Sequence, residues 1–146
     1  MATTYASQGN SGYLGTFSLG SPLTDMVEVT RINFPRYSVP DLNRTHLLSP
    51  DTTEEYTPGL LNPGTVEMSG NFIGTADQTS TLDALAKAQT VFPWQFTMQV
   101  QNRTKTCTVS GNGYLNKHDI GPVEGNRTIE YSLSVRTTGF SSIHVA

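Results

Sequence analysis

A single cysteine, Cys107, in 146 residues excludes an intrachain disulfide framework and a cysteine-rich metal centre. Charge is scarce as well. Asp, Glu, Lys and Arg make up 14% of the chain and sum to −3, so the polar surface has to be built largely from Ser, Thr, Asn and Gln. Recognition of nucleic acid through a basic patch needs clustered Lys and Arg to displace counterions from phosphate, and that clustering is missing. No apolar run approaches the roughly 20 residues of a membrane span, and no charged segment leads into an apolar one near Met1. The expectation is a soluble protein made in a cytoplasm, without a cleaved export signal or a membrane anchor. The length suits one domain with a real core.

What is present centres on Glu55 to Phe72. Pro58-Gly59 and Pro63-Gly64 are turn dipeptides, because proline presets φ and glycine reaches φ > 0 without penalty. After this double hinge the chain alternates. Val66, Met68, Gly70 and Phe72 share one face, while Thr65, Glu67, Ser69 and Asn71 share the other, which is the period of a strand with one buried side. Before the hinge, residues 36–63 carry four prolines and a set of apolar side chains. Structureless loops beyond about 12–15 residues are uncommon in compact domains unless functional. Pairing of Leu42–Leu48 with Glu54–Thr57 would make this segment an extended arm that exposes Leu47, Leu48, Tyr56, Leu60 and Leu61, and apolar residues on a protrusion mark a contact.

Elsewhere, residues 1–22 are rich in Gly, Ser and Thr, with isolated Tyr5, Tyr13, Leu14, Phe17 and Leu19, and read as an N-terminal arm. Met26–Ile32 reads as a first strand. One helix is predicted over Thr81–Gln89, with Ser80 as its N-cap and Leu82, Leu85, Ala86 and Gln89 at helical spacing. The strongest strand follows, with Phe92, Trp94, Phe96, Met98 and Val100 alternating with Gln95, Thr97, Gln99 and Gln101. A turn at Asn102-Arg103 leads to a strand with Cys107 and Val109 inside and Thr106, Thr108 and Ser110 outside, continuing to Leu115. A loop is expected from Asn116 to Asn126. The last strand sets Ile129, Tyr131, Leu133 and Val135 against Thr128, Glu130, Ser132, Ser134 and Arg136, and residues 141–146 read as a tail. These strands share an apolar face that one small helix covers in part and a continuous polar face, so the fold class is mainly β, an antiparallel sheet with one wet side. Few charges blunt the sheet edges, which favours assembly through them. The domain proper is taken as 23–140, with the arm at 36–63 and the helix at 80–89.

Motifs with a chemical look carry little. His118-Asp119 matches a metal-binding string of helical phosphohydrolases, yet here it is placed in a loop of a β protein. His46 and His144 sit at no ligand spacing. Asn43, Asn102 and Asn126 each begin an Asn-Arg-Thr triplet, better read as turns than as glycosylation sites. Cys107, beside Val109, reads as a small core residue. No catalytic residues, metal or cofactor are expected, so the chain is read as a non-enzyme.

The order of Asn43–Ser49, Glu55-Tyr-Thr-Pro-Gly-Leu60, Gly64-Thr-Val66, Gly70-Asn-Phe72, a short capped helix, an aromatic strand and a closing Val135-Arg-Thr-Thr-Gly139 resembles the major tail tube proteins of long-tailed bacteriophages. The resemblance runs from about Met26 to Phe140. It implies an antiparallel β-sandwich or barrel-like virion structural subunit with one short flanking helix, assembled in the host cytoplasm into six-fold rings that stack as a conduit for the tape measure protein and then DNA. It also implies tail terminator and tail tip or baseplate proteins as partners. Both arms would then touch neighbouring subunits through Tyr13, Phe17, Leu47, Leu48, Tyr56, Pro58, Leu60 and Leu61. The wet face would line the lumen through Glu67, Ser69, Gln95, Gln99, Thr106, Thr108, Glu130, Ser134 and Arg136. The inner tube of a contractile injection system is an alternative, and a monomeric β-sandwich ligand-binding module, for instance for glycans, is another.

Overall fold

Alternating side chains with a β-branched and aromatic inner set give a sheet whose one side is dry. The structure, a computed structural model, describes residues 14–48, 53–101 and 103–146. In chain order the elements are strands β1 (Thr16–Leu19), β2 (Thr24–Asp25), β3 (Val29–Asn33), β4 (Asp41–Asn43), β5 (Tyr56–Pro58) and β6 (Thr65–Asn71), helix α1 (Ala76–Ala88), then β7 (Phe92–Val100), β8 (Lys105–Ile120) and β9 (Glu130–Val145). Seven of the strands form one antiparallel sheet in the order β2-β1-β7-β8-β9-β6-β3, and β4 pairs with β5 apart from it. The large sheet curls into a half-barrel, which brings its far edge β3 back towards β1.

Register explains the core. Phe17 lies opposite Phe96, which lies opposite Val109, and all three are buried. Val66 lies opposite Val135, and Met68 opposite Leu133, extending the same dry side to the other half of the sheet. Phe17, Phe96 and Trp94 stack with near-parallel rings, at centroid separations of 6.4 and 6.0 Å. Helix α1 contributes Leu82, which is buried, with Leu85 and Ala86 packed beside it. At the double hinge, Gly64 has φ of 82°, and a Cβ there would meet the Arg36 carbonyl oxygen at 2.4 Å. Only glycine fits both demands.

Four expectations need correction. Residues 16–19 are a strand in the sheet, so Phe17, at 0% exposure, belongs to this chain's own core and is no arm contact. The helix begins at Ala76, five residues before the predicted start, and Ser80 lies inside it. Its observed N-cap, Thr75, makes no side-chain capping bond, and the start is held instead by the buried Gln78, whose Oε1 accepts from the Val27 amide at 2.8 Å. Asn116–Ile120 continues β8 where a loop was expected, which puts His118 and Asp119 on a strand. Residues 138–145 continue β9 along β8, so the tail is part of the sheet. Tyr13 and Asn102 lie outside the described residues.

Candidate functional site

The wet face of the sheet is the first surface of interest. Cα partners align Ser18, Gln95, Ser110 and Ser142 in one row, and Thr16, Thr97, Thr108 and His144 in the next, with Gln99 opposite Thr106. Cross-strand bonds tie these side chains together, Ser110 to Ser142 at 3.2 Å and the Gln99 amide to the Thr106 hydroxyl at 3.5 Å. The one carboxylate in these rows is Asp25, which lies opposite Ser18 and accepts from its hydroxyl. The other half is charged. There Arg31 lies opposite Ser69, Glu67 opposite Ser134, Arg136 opposite Thr65, Glu130 opposite Asn71, and Lys117 and Asp119 opposite Ser134 and Ser132. Lys117 reaches Asp119 at 3.1 Å.

The register places the nine polar residues named from the sequence on one side of the sheet, with one detail to note. Ser134 is 9% exposed, since it sits low between Glu67 and Lys117. The carboxylates of Glu67, Asp119 and Glu130 are matched in number by Arg31, Lys117 and Arg136, and Asp25 beside Ser18 leaves the whole face with one carboxylate more than cations. Arg31 and Lys117 were missed because β3 and the end of β8 lack clean alternation.

The arm is the second surface. Its limbs pair beyond the two named strands. Ser38 and Asn62 exchange backbone bonds of 3.1 and 2.7 Å at the base, and the Arg44 amide donates to the Glu55 carbonyl at 2.7 Å near the tip. Among the described residues, β4 and β5 pack on each other and on no other strand or helix. Leu47 and Leu48 are 103% and 87% exposed, Leu60 is 90% exposed, and Tyr56 and Leu61 are also exposed. Pro58 ends β5 and is exposed. A third feature is the outer half of β9, where Phe140, Ile143 and Val145 are exposed although Ile143 lies opposite buried Val109. The Tyr37 hydroxyl covers the outward backbone at Ser141, accepting from its amide at 3.0 Å and donating to its carbonyl at 3.1 Å.

His118 faces α1, opposite Leu133, and burial there holds its imidazole below its ordinary value, with the Asp119 and Asp83 carboxylates working against that shift. Among the described residues no three His, Cys, Asp or Glu side chains gather as a metal-ligand set, and no helix is long and apolar enough to cross a membrane. Cys107 is buried, as its alternation implied.

No protein-family model and no curated protein matches the sequence. The fold does match. A chain of the extended sheath–tube complex of an extracellular contractile injection system, PVC, aligns with a TM-score of 0.70 at 10% identity, over 94% of this chain and 93% of that one. The SPP1 tail tube aligns with a TM-score of 0.64 at 11% identity, over 94% and 80%. A chain from the tail of an empty gene transfer agent particle, refined with helical C6 symmetry, aligns with a TM-score of 0.61 at 15% identity, over 84% and 86%. The fold of this chain is thus the fold found in tail and injection tubes.

Proposed function

We propose that the chain is the repeating subunit of a hollow tail tube, built from stacked rings of identical copies, with the wet face of the sheet turned to the lumen. The observation that carries this reading is the continuous wet face, formed on a curled sheet of tube-subunit fold. Its rows of hydroxyls and amides hold water, and its charged half is balanced, so passing DNA finds no excess of cations to release counterions against. A wall of that kind lets a polyanion slide. The arm leucines and the outer half of β9 supply apolar surface for neighbouring copies, and an unpaired sheet edge is a template for another strand. The six-fold ring, the tape measure protein, and terminator and tip proteins as partners follow from the tail tube reading, as does the virion as its place.

The likeness to the PVC sheath–tube complex supports a second reading, the inner tube of a contractile system. Co-purification of a sheath protein from the source particle would favour that one.

The lumen assignment is tested with Thr108→Cys in assembled tubes. Cys107 is buried and gives little background. A small maleimide entering the tube labels Cys at 108, and a polymer-bearing maleimide too bulky for the pore does not. Rapid labelling by the bulky reagent in intact tubes would put this face on the outside.

A further inference from the structure

Strand β9 is covered along its outer edge in stages and then left open. Up to Arg136 it pairs with β6, whose Thr65 lies opposite Arg136. The residues just before β6 take over from there. The Thr137 amide donates to the Gly64 carbonyl at 3.1 Å, and the Arg136 guanidinium reaches the Asn62 side-chain oxygen at 3.2 Å. Next comes Tyr37, whose hydroxyl accepts from the Ser141 amide and donates to the Ser141 carbonyl, with the Ser141 hydroxyl against it as well. Beyond Ser141 no strand among the described residues pairs on that side.

The register fixes which backbone groups are left over. Thr106 and Ala146 exchange both of their backbone bonds, so Ala146, His144 and Ser142 turn their amides and carbonyls to β8, while Val145, Ile143 and Ser141 turn theirs outward. A tyrosine hydroxyl offers Ser141 one donor and one acceptor, which is what a paired strand would offer it. The side chains agree. Ile143 and Val145 project on the dry side, opposite buried Val109 and Cys107, yet both are exposed. An incoming strand of alternating pattern would extend that dry side, and this chain's own strands have the pattern. The backbone on either side of Tyr37 is fixed, since the Arg36 carbonyl packs where Gly64 lacks a Cβ and Ser38 exchanges bonds with Asn62. The Tyr37 side chain itself is exposed, so it can swing away while the backbone stays.

We propose that Tyr37 is a latch on the edge of β9. In the free chain its hydroxyl occupies Ser141, which leaves Ile143 and Val145 as a stub too short to hold a strand. On assembly an extended strand of a second copy displaces the hydroxyl and pairs from Ser141 to Val145. A ladder of that length is marginal by itself, so taking Ser141 out of it holds back chance pairing between free chains. Once displaced, the hydroxyl turns to water and the Ser141 backbone exchanges its bonds for those of the new strand. The inference rests on the reading of the chain as a self-assembling subunit and adds the contact that restrains it beforehand.

Tyr37→Phe in the full-length chain tests it, because it removes the hydroxyl and keeps the ring at an exposed position where the fold is little affected. Light scattering over a concentration series reads the threshold for association, and micrographs of the same samples show what has formed. The expected result is a threshold lower by roughly three- to tenfold, the worth of about one hydrogen bond. An equal or higher threshold overturns the latch, since the hydroxyl then has no restraining effect or persists in the assembly. Adding Ile143→Lys, also at an exposed position, puts a charge on the opened edge and should return the threshold to that of the unaltered chain or above it. A double variant that associates like Tyr37→Phe alone shows that the strand lands elsewhere and likewise overturns the proposal. Tubes with an unchanged threshold leave the tube reading standing without the latch. A lowered threshold that Ile143→Lys reverses, with no tubes in the micrographs, supports the latch and counts against the tube. No association of either chain at any concentration overturns both.

Discussion

Replacing Phe17 by Ala separates a core strand from a loose arm more sharply than any deletion. Phe17 has no exposed surface, lies opposite Phe96 in the β1–β7 ladder and stacks on its ring. Removing the ring loses the transfer free energy of the buried atoms and leaves a cavity that β1, only four residues long, closes poorly. Substitutions of this type cost about 3–5 kcal/mol. Set against a total of about 5–15 kcal/mol for a domain, that is a large share. For a chain of this length it lowers the melting temperature by about 10–15 °C. Thermal unfolding followed by circular dichroism on dilute, unassembled protein measures it. A loss under about 1 kcal/mol would show that β1 is dispensable and that residues 16–19 act as an arm after all.

Leu47→Ser with Leu48→Ser should leave the melting temperature of the unassembled chain within about 2 °C, since exposed positions contribute within about 0.5 kcal/mol, while abolishing elongation in turbidity or light scattering; unfolding of the variant would place the leucines in the core. Gly113→Ala should destabilise by at least about 1–3 kcal/mol, a cost of the overpacking kind, because the new Cβ would lie 2.3 Å from the Arg136 carbonyl oxygen, and a neutral result in urea titration would contradict the β8–β9 register. Gln95→Lys, Gln99→Lys and Thr108→Lys together should keep the fold but weaken tube formation or make tubes retain DNA, read by filter retention at low salt; no effect on either would count against the lumen. His118, held neutral by burial, binds a proton more weakly folded than unfolded, so its contribution to stability is present above its ordinary value of 6.5 and declines as pH falls below it towards the folded value. His118→Asn should flatten that part of the stability profile, and an unchanged slope between pH 7 and 5 would refute it.

Strands β6 and β7 were readable because their alternation is unbroken from Thr65 to Asn71 and from Phe92 to Val100. The arm was readable from its prolines and exposed leucines, though its pairing proved to extend down to Ser38 and Asn62. Strand β8 was cut short in the sequence because of the irregularity between Leu115 and Lys117, where β8 carries an extra residue against β9 that breaks the period of two. Its last five residues then looked like a loop, and Lys117 and Asp119 were lost from the wet face. The end of β9 was missed for a related reason, since its register against β8 shifts around Gly139 to Ser141 and its inward-facing Ile143 and Val145 remain exposed. Strand β1 had the Phe17, Ser18, Leu19 alternation available, but four residues inside a Gly- and Ser-rich segment gave too little pattern to outweigh composition. The helix start was set by Gln78 reaching the Val27 amide, a contact distant in sequence that no local capping rule contains.

The account stands or falls most directly on a cryo-electron microscopy reconstruction of the purified full-length chain at a concentration that permits assembly. It predicts hollow tubes of stacked rings in which Gln95, Gln99, Thr106 and Thr108 face the lumen and the Asp41–Pro58 arm contacts another copy. A chain that stays monomeric at every concentration, or a tube with those four residues on its outer wall, would contradict it.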